Sequence, residues 1–527
     1  VLETKNKNKG KKHFTLFALS FTLLNMEDYF IKIPREVKFA VETLQGAGFE
    51  AYVVGGCVRD LLCGNSPSDW DLATNATPAQ IQAVFPDNFC DNKFGTVTAR
   101  IESAGLLGES EFFEIEITPY RIESKYTDKR HPDTVEWAAN ISEDLSRRDF
   151  TVNAIALSYI KEAKSGKLKT ETIDLFGGRA DIKAKTIRAV RDPNERFLED
   201  ALRMMRAVRF SVTLGSGWKI EEKTELAISA NAKWLREVSQ ERIRDEFVKI
   251  VASPRAADGV ETLRKLGLLG YIMPELLDAY GVGQNKHHIY DCYTHLLKSL
   301  EFTAKKDFNL HVRMAALLHD IGKPKSKAGD GPDSTFYNHE IIGAKIARKI
   351  LQRMKFSNKD VDRIVHLVRY HLFYYNVGEV GEASVRRLVR NVGKENLEDL
   401  LQVRMADRIG SGCPKAEPYK LRHLRYLMEK ALLDPISAKM IKVNGKDIMD
   451  ILNIPPGPKV GQVLDILLAQ ILNDPKLNDR IYLEAEIRRL GGLGEAELLR
   501  ISQDAEKQRD SVEVKRDQMT KKKYWVT

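Results

Sequence analysis

Apolar residues recur at helical spacing in the first patterned stretch of the chain. Val37, Ala40, Val41 and Leu44 predict an amphipathic helix within residues 26–50, closed by Gly46 and Gly48. The period then shortens. Ala51–Val54, Thr96–Ile101 and Glu111–Thr118 predict strands, and Thr77-Pro78 before Ile81 and Val84 predicts a capped helix. Residues 26–160 therefore read as α+β. After about residue 195 the strand signals fade, and helix-period segments run to about residue 490 with no internal repeat. The last 27 residues are charged and lack periodicity until Tyr524-Trp525, so a disordered or fraying tail is expected there.

With 527 residues, 43% of them apolar, the chain can build several domains. The five cysteines (Cys57, Cys63, Cys90, Cys292, Cys413) are scattered and form no Cys-x-x-Cys pair. That fits free thiols in a reducing, cytoplasmic setting. Net charge is +9, but residues 1–25 carry +4 and residues 501–527 carry +2, leaving about +3 for the body. Overall basicity is therefore weak evidence for nucleic acid, and local arginine clusters must carry that argument. Lys11 and Lys12 precede an apolar run at residues 14–24 that looks like part of a signal peptide. No small-residue cleavage site follows, and the run is too short to span a bilayer. Residues 1–25 read as a disordered or non-native extension, and no membrane partner is expected.

The densest chemistry is Val53-Val54-Gly55-Gly56-Cys57-Val58-Arg59-Asp60 followed by Asp69-Trp70-Asp71. Gly55 and Gly56 let a backbone approach a phosphate closely, and a helix start there attracts its charge. Asp69 and Asp71, at spacing two on a strand, would face one side and hold one divalent ion. Either feature alone would be a turn or a solvated surface. Together they describe a nucleoside triphosphate with its Mg2+.

Three further clusters follow. In Arg147-Arg148-Asp149-Phe150-Thr151-Val152-Asn153, a double arginine can neutralise phosphates while Asp149 and Asn153 bond ribose hydroxyls; a salt-bridged surface is the plain alternative. Asp174-Leu175-Phe176-Gly177-Gly178-Arg179-Ala180-Asp181 is the second. The third, Arg196 to Phe210, reads as one helix with Asp200 and Arg203 on a common face and Arg206 beyond them. A carboxylate that accepts from an exocyclic amine, beside a guanidinium that donates to a ring nitrogen, suits cytosine and adenine. Uracil and guanine reverse that polarity and would leave buried groups unpaired.

These blocks, in this order, resemble the class II tRNA nucleotidyltransferase and poly(A) polymerase family of the polymerase-β superfamily. The likeness runs from about residue 30 to 255 and includes Glu241-Arg242-Ile243-Arg244-Asp245-Glu246-Phe247. It implies metal-binding carboxylates at Asp69 and Asp71, with a third at Glu116, for which Glu114 is a rival. It implies nucleotide contacts from Gly55, Gly56, Arg59, Arg147, Arg148, Asp149, Asn153 and Arg206, and base selection by Asp200 and Arg203 with Glu199 in support. Two-metal nucleotidyl transfer is the mechanism it brings.

Downstream, Leu317-Leu318-His319-Asp320-Ile321-Gly322-Lys323-Pro324 resembles the HD phosphohydrolases. That resemblance implies a second divalent-metal site, its metal unidentified, from His295, His319, Asp320, His339, His371 and Asp407, with His366 a rival to His371. Val443–Ile448 and Ile454–Gly461 look like the family's C-terminal region, where loop backbone and lysine would hold RNA. The expected fold is α+β: a polymerase-β-like nucleotidyltransferase head with a small mixed sheet (26–160), an all-α neck with the base-selecting helix (161–255), a helical body with the HD site (256–430), a tRNA-binding tail (431–500) and a charged extension (501–527). The expected reaction is addition of CCA to the tRNA 3′ end from CTP and ATP, with a possible HD phosphohydrolase activity. Alternatives are A-only or CC-only addition, a poly(A) polymerase, or a phosphohydrolase whose head only binds. Lys93-Phe94-Gly95-Thr96-Val97 in place of a basic element favours tRNA over poly(A), and the full stretch Arg121–Pro132 argues against CC-only addition.

Overall fold

In the computed structural model the described residues are 32–91, 95–104, 110–124, 134–138, 140–161, 168–285, 288–432 and 441–527. The N-terminal extension, Lys93-Phe94 and most of the Arg121–Pro132 stretch lie outside them. The chain forms two compact units, which meet in sequence at Val238–Ser239. The expected neck is thus divided, and its Glu241–Phe247 block belongs to the second unit.

The first unit opens with the helix Arg35–Gly46, whose buried face is Val37, Ala40, Val41 and Leu44. Its seven-stranded mixed sheet has the order β3-β4-β5-β2-β1-β8-β9. The strands are β1 (Ala51–Val54), β2 (Asp71–Thr74), β3 (Asn88–Asp91), β4 (Thr96–Ala104), β5 (Ser110–Pro119), β8 (Ala156–Lys161) and β9 (Leu168–Ile173); β6 (Arg121–Ser124) and β7 (Thr134–Trp137) form a separate ribbon. The β2–β5 pairing is parallel, with Asp71 in register with Glu116. The Thr77-Pro78 start is a capping box in which Thr77 and Gln80 satisfy each other's backbone N–H. The neck is not purely helical, because Thr186–Ile187 and Lys219–Ile220 pair in parallel.

The second unit is helical. The fully buried Leu317, Leu318, Leu296, Val312 and Leu400 are part of the apolar packing around the histidine region. A separate cluster gathers Ile448, Val463, Leu467, Leu483, Ile487, Leu490, Leu498 and Ala505. The chain end departs from expectation: Glu495–Tyr524 is one helix of 30 residues. Leu498 and Ala505 pack in that cluster. Its far end is tied to the helix Tyr419–Leu432 by Lys523 Nζ to Glu429 Oε2 at 2.7 Å and by Tyr426 to Asp517. Sparse apolar anchors and end-on polar ties leave no strong period in the sequence, which is why the segment read as a tail. The two C-terminal motifs are helix starts: Asn444 and Asp447 form a capping box, and Lys459 Nζ donates to the Gly491 carbonyl at 2.8 Å.

Candidate functional site

In the head, β1 ends at Val54 and the chain turns through Gly55 (φ +82°) into the helix Gly56–Leu62. A Cβ on Gly55 would lie 3.0 Å from Arg148 Nη1 and 3.3 Å from Asp71 Oδ2. The backbone angle therefore requires glycine there, and a Cβ would crowd both side chains. Asp71 is the first residue of β2, and Asp69 lies outside the strand in the exposed turn before it. Only the strand placement of Asp69 differs from expectation: Trp70, only 4% exposed, is pulled into the core, and the strand starts after it. The parallel register instead sets Glu116 beside Asp71, while Glu114 approaches Arg100 at 3.7 Å. Burial pushes the Asp71 carboxyl up to about 6; Arg148 opposes that shift, and Glu116 and Asp69 add to it. A partly buried carboxylate crowded by two others suits a divalent cation.

The arginine block is an interlocked network. Asp144, fully buried, accepts from Arg147 Nη2 at 2.6 Å through one oxygen and from Arg148 Nη2 at 3.0 Å through the other. Asp149 Oδ1 accepts from Asn153 Nδ2 at 2.9 Å and Oδ2 from Arg206 Nε at 2.8 Å. Arg59 Nη1 in turn donates to Asn153 Oδ1 at 2.8 Å. Burial raises the Asp149 carboxyl, and Arg206, Asn153 and Arg203 outweigh it, holding the group well below the usual range. The Asp174–Asp181 block supports this turn from beneath: Asp174 caps the helix Gly178–Ala184, and Asp181 accepts from the Thr151 hydroxyl at 2.6 Å.

The Arg196–Phe210 segment is two helices, Pro193–Glu199 and Leu202–Thr213, not one. Asp200 is extended between them (φ −139°, ψ 104°), and its side chain accepts from the Leu202 N–H at 3.0 Å. A short acidic side chain competes with the helix ladder for that N–H, which breaks the expected continuous face. Arg203 Nη1 donates to Glu199 Oε2 at 2.9 Å, and Nη2 donates to the Arg147 carbonyl at 3.0 Å. Arg203 is thereby fixed to the arginine block, with Glu199 as its carboxylate partner.

In the second unit, six side chains from separate elements converge. His295 lies in the helix Cys292–Lys305, His319 and Asp320 just past Leu310–Leu318, His339 at the start of His339–Arg353, His371 just past Asn358–Tyr370, and Asp407 in Leu397–Gly410. Gly322 makes the crossing possible, since a Cβ there would meet the His339 carbonyl at 2.2 Å. Asp320 Oδ2 lies 3.1 Å from His295 Nε2 and 3.4 Å from His319 Nε2; Oδ1 lies 3.3 Å from His339 Nε2 and 3.5 Å from His371 Nε2. The Nδ1 atoms of His319, His339 and His371 face the carbonyls of Ala316, Phe336 and Val368 at 2.9, 2.7 and 2.7 Å. With those N–H groups donated outward, the Nε2 lone pairs point inward, the posture of metal ligands. His366 instead turns to the Val392 carbonyl at 2.8 Å.

Among the described residues, the clustered metal-ligand sets are His295, His319, Asp320 and Asp407, and Asp320, His339 and His371. The head carboxylates do not close to that degree. Burial pulls the His319 ring down, and Asp320 and Asp407 more than reverse it. The two carboxylates crowding that buried ring fit a place where a cation belongs. A cavity of about 330 Å³ opens onto the site, lined by Lys323, Arg404, His288 and Tyr337 among others. Sequence reasoning missed Asp144, Lys323 and Arg404 as site residues. Lys323 Nζ lies 2.6 Å from Asp320 Oδ2, and Arg404 Nη1 lies 2.6 Å from Asp407 Oδ2. Both arginine and lysine stand at spacing three from their aspartates, a signal that was present but too common to single out.

Residues 51–188 match the poly(A) polymerase head domain, residues 217–280 the probable RNA and SrmB-binding site of polymerase A, and residues 292–410 the HD domain. The chain is 34% identical over 433 residues to the A-adding tRNA nucleotidyltransferase of Deinococcus radiodurans, covering 79% of this chain and 90% of that one. It is 31% identical over 469 residues to the CCA-adding enzyme of Lactococcus lactis subsp. lactis, covering 87% and 99%. Among solved structures it is similar to the Bacillus stearothermophilus CCA-adding enzyme in complex with CTP, with a TM-score of 0.51, 27% identity, and coverage of 86% of this chain and 96% of that one. Among the described residues, no helix is long and apolar enough to cross a membrane.

Proposed function

The chain belongs to the tRNA nucleotidyltransferase family, and from that premise we propose that it adds C, C and A to the tRNA 3′ end from CTP and ATP, in the cytoplasm. The observation that carries the reading is the parallel register of Asp71 with Glu116, opposite Arg148 across Gly55. An arginine set against a carboxylate pair supports a metal–triphosphate site, one half for each charge. Asp71 and Glu116, with Asp69 from the adjoining turn, would hold Mg2+, which when bound activates the primer hydroxyl and neutralises the triphosphate. Arg147 and Arg148 bind phosphate oxygens, and Asp149 and Asn153, locked by Arg206 and Arg59, receive the ribose. Asp200 and Arg203 read the base edge.

The base-edge chemistry accepts both C and A, so A-only addition remains a second reading, favoured by the likeness to the A-adding relative. Offering tRNA that ends before CCA, in C, or in CC, with labelled CTP or ATP, separates them. Incorporation on all three ends is the expected result. Incorporation on the CC end alone establishes A-addition, and long adenosine tails establish poly(A) synthesis. Arg203→Ala is expected to relax base choice, admitting UTP or GTP about tenfold better relative to CTP, before it abolishes turnover.

The raised Asp71 carboxyl gives a pH signature. Its folded value lies above the ordinary 3.8. The metal-free head therefore binds a proton between the two values and loses that stabilisation as pH rises through about 6. Mg2+ competes with the same proton. At limiting Mg2+, nucleotide addition should fall as pH drops through about 6, and more Mg2+ should move the midpoint lower. A pH–rate midpoint that ignores Mg2+ would assign the titration to another group.

For the second unit we propose a phosphohydrolase centre acting on phosphate esters such as 2′,3′-cyclic phosphates. Two ions, rather than one, fit its ligand sets, because Asp320 offers a separate oxygen to each. Such ions when bound would supply an activated water and Lewis acidity. Lys323 and Arg404 line the cavity, where their charge draws in a phosphate group.

A further inference from the structure

We propose that Asp144 is a positioning residue of the nucleotide site, which keeps Arg148 turned to the nucleotide phosphates and off Asp71. The inference rests on the reading that Asp71 serves a metal–nucleotide site. A guanidinium beside a carboxylate pairs with it through two parallel N–H bonds by default. Arg148 Nη1 and Asp71 Oδ2 flank the same point above Gly55, at 3.0 and 3.3 Å from the position of a Cβ there. A two-point Arg148–Asp71 pair is therefore within easy reach. It would neutralise the carboxylate that the metal needs and withdraw a cation from the phosphates.

Asp144 prevents this by occupying the other edge of the guanidinium. Its Oδ2 accepts from Arg148 Nε at 3.3 Å and from Nη2 at 3.0 Å. Nη1 is left facing Gly55, with the Asn153 carbonyl at 3.5 Å. The Oδ1 atom holds Arg147 in the same way, at 3.0 Å to Nε and 2.6 Å to Nη2. Because the Arg147 carbonyl accepts from Arg203, the grip reaches the base-reading side chain as well. A fully buried carboxylate is costly, and this one sits at the end of the short helix Ile141–Ser146 with its charge shared between two arginines. That expense is explained if the arginines must be held in one direction before nucleotide arrives.

The test uses the full chain and Mn2+ binding without nucleotide, followed by the electron paramagnetic resonance of free Mn2+. Head binding is the part that Asp71→Ala removes. Asp144→Asn is expected to weaken it about tenfold, because Arg148 swings onto Asp71. Adding Arg148→Ala should restore Mn2+ affinity while KM for CTP stays high. A residue that merely supports the fold would give a double variant no better than the single one. Arg148→Ala alone asks the same question with Asp144 untouched. KM for CTP should rise with no loss of head Mn2+ affinity, and a loss would overturn the proposal. An unchanged Mn2+ affinity in Asp144→Asn, or no restoration in the double variant, would overturn it too. Absence of any Asp71-dependent Mn2+ would instead defeat the reading of the head itself.

Discussion

Asp71→Ala is expected to lower addition of both C and A by roughly three orders of magnitude on every tRNA end, with the fold intact. The size follows from what the carboxylate supplies. A metal that stabilises developing charge contributes several kcal/mol, and about 4 kcal/mol corresponds to roughly a thousandfold in rate. Of the three head carboxylates, Asp71 is the one next to both others, two residues after Asp69 and in register with Glu116. It pairs with Val54 of β1 on one side and Glu116 of β5 on the other. Asp69 lies in the exposed turn, and its loss should cost less if the turn's backbone still directs the ion. Removing Asp71 also relieves a buried carboxyl that burial itself disfavours, so thermal stability without metal should hold or rise. Single-turnover kinetics on tRNA ending before CCA, beside a melting curve, checks both halves. Activity within tenfold of the parent would remove Asp71 from the metal site.

Local patterns carried much of this far in the sequence. The first helix, its four buried positions and the Thr77 cap are written in spacing and capping chemistry, and β1 and β5 in their short apolar runs. What could not be read was pairing across the chain. Glu116 and Glu114 stand on the same side of β5, and only the strand registers set one beside Asp71 and the other opposite Arg100. His366 and His371 share a helical pattern, yet the turn after Tyr370 sends His371 inward. The break at Asp200 follows from a side chain capturing a backbone N–H, a contest that periodicity does not score. Asp144 escaped notice for a related reason. Its meaning lies in both arginines that follow it, and an Asp three and four residues before arginines usually signals only an exposed helix pair.

The histidine centre permits the second large effect. Asp320→Asn should strip the second unit of its metal and abolish phosphohydrolase activity, while addition to tRNA ends continues. Bonds from a divalent ion to nitrogen or oxygen are about 2.0–2.2 Å, so two ligands of one ion lie at most about 4.4 Å apart. The ligand atoms form two sets, each within 4.8 Å, joined only by Asp320. One ion cannot serve all six groups, and the shared carboxylate becomes the hinge of the site. Reconstituted with Mn2+, the full chain should carry about two equivalents that Asp320→Asn removes, whereas His371→Ala removes about one. The head residues belong to the other compact unit, so nucleotide addition gives an internal control for folding. The asparagine also leaves the Lys323 ammonium, 6% exposed, with Gln284 at 2.6 Å as its remaining polar partner among the described residues. A lowered melting temperature is therefore expected, from a buried cation that has lost its charge partner. Metal analysis, hydrolysis of a 2′,3′-cyclic phosphate and CCA addition on one preparation read the three consequences together. Retained hydrolysis with lost metal would end the catalytic reading, and lost CCA addition in a folded variant would make the centre a support for tRNA instead.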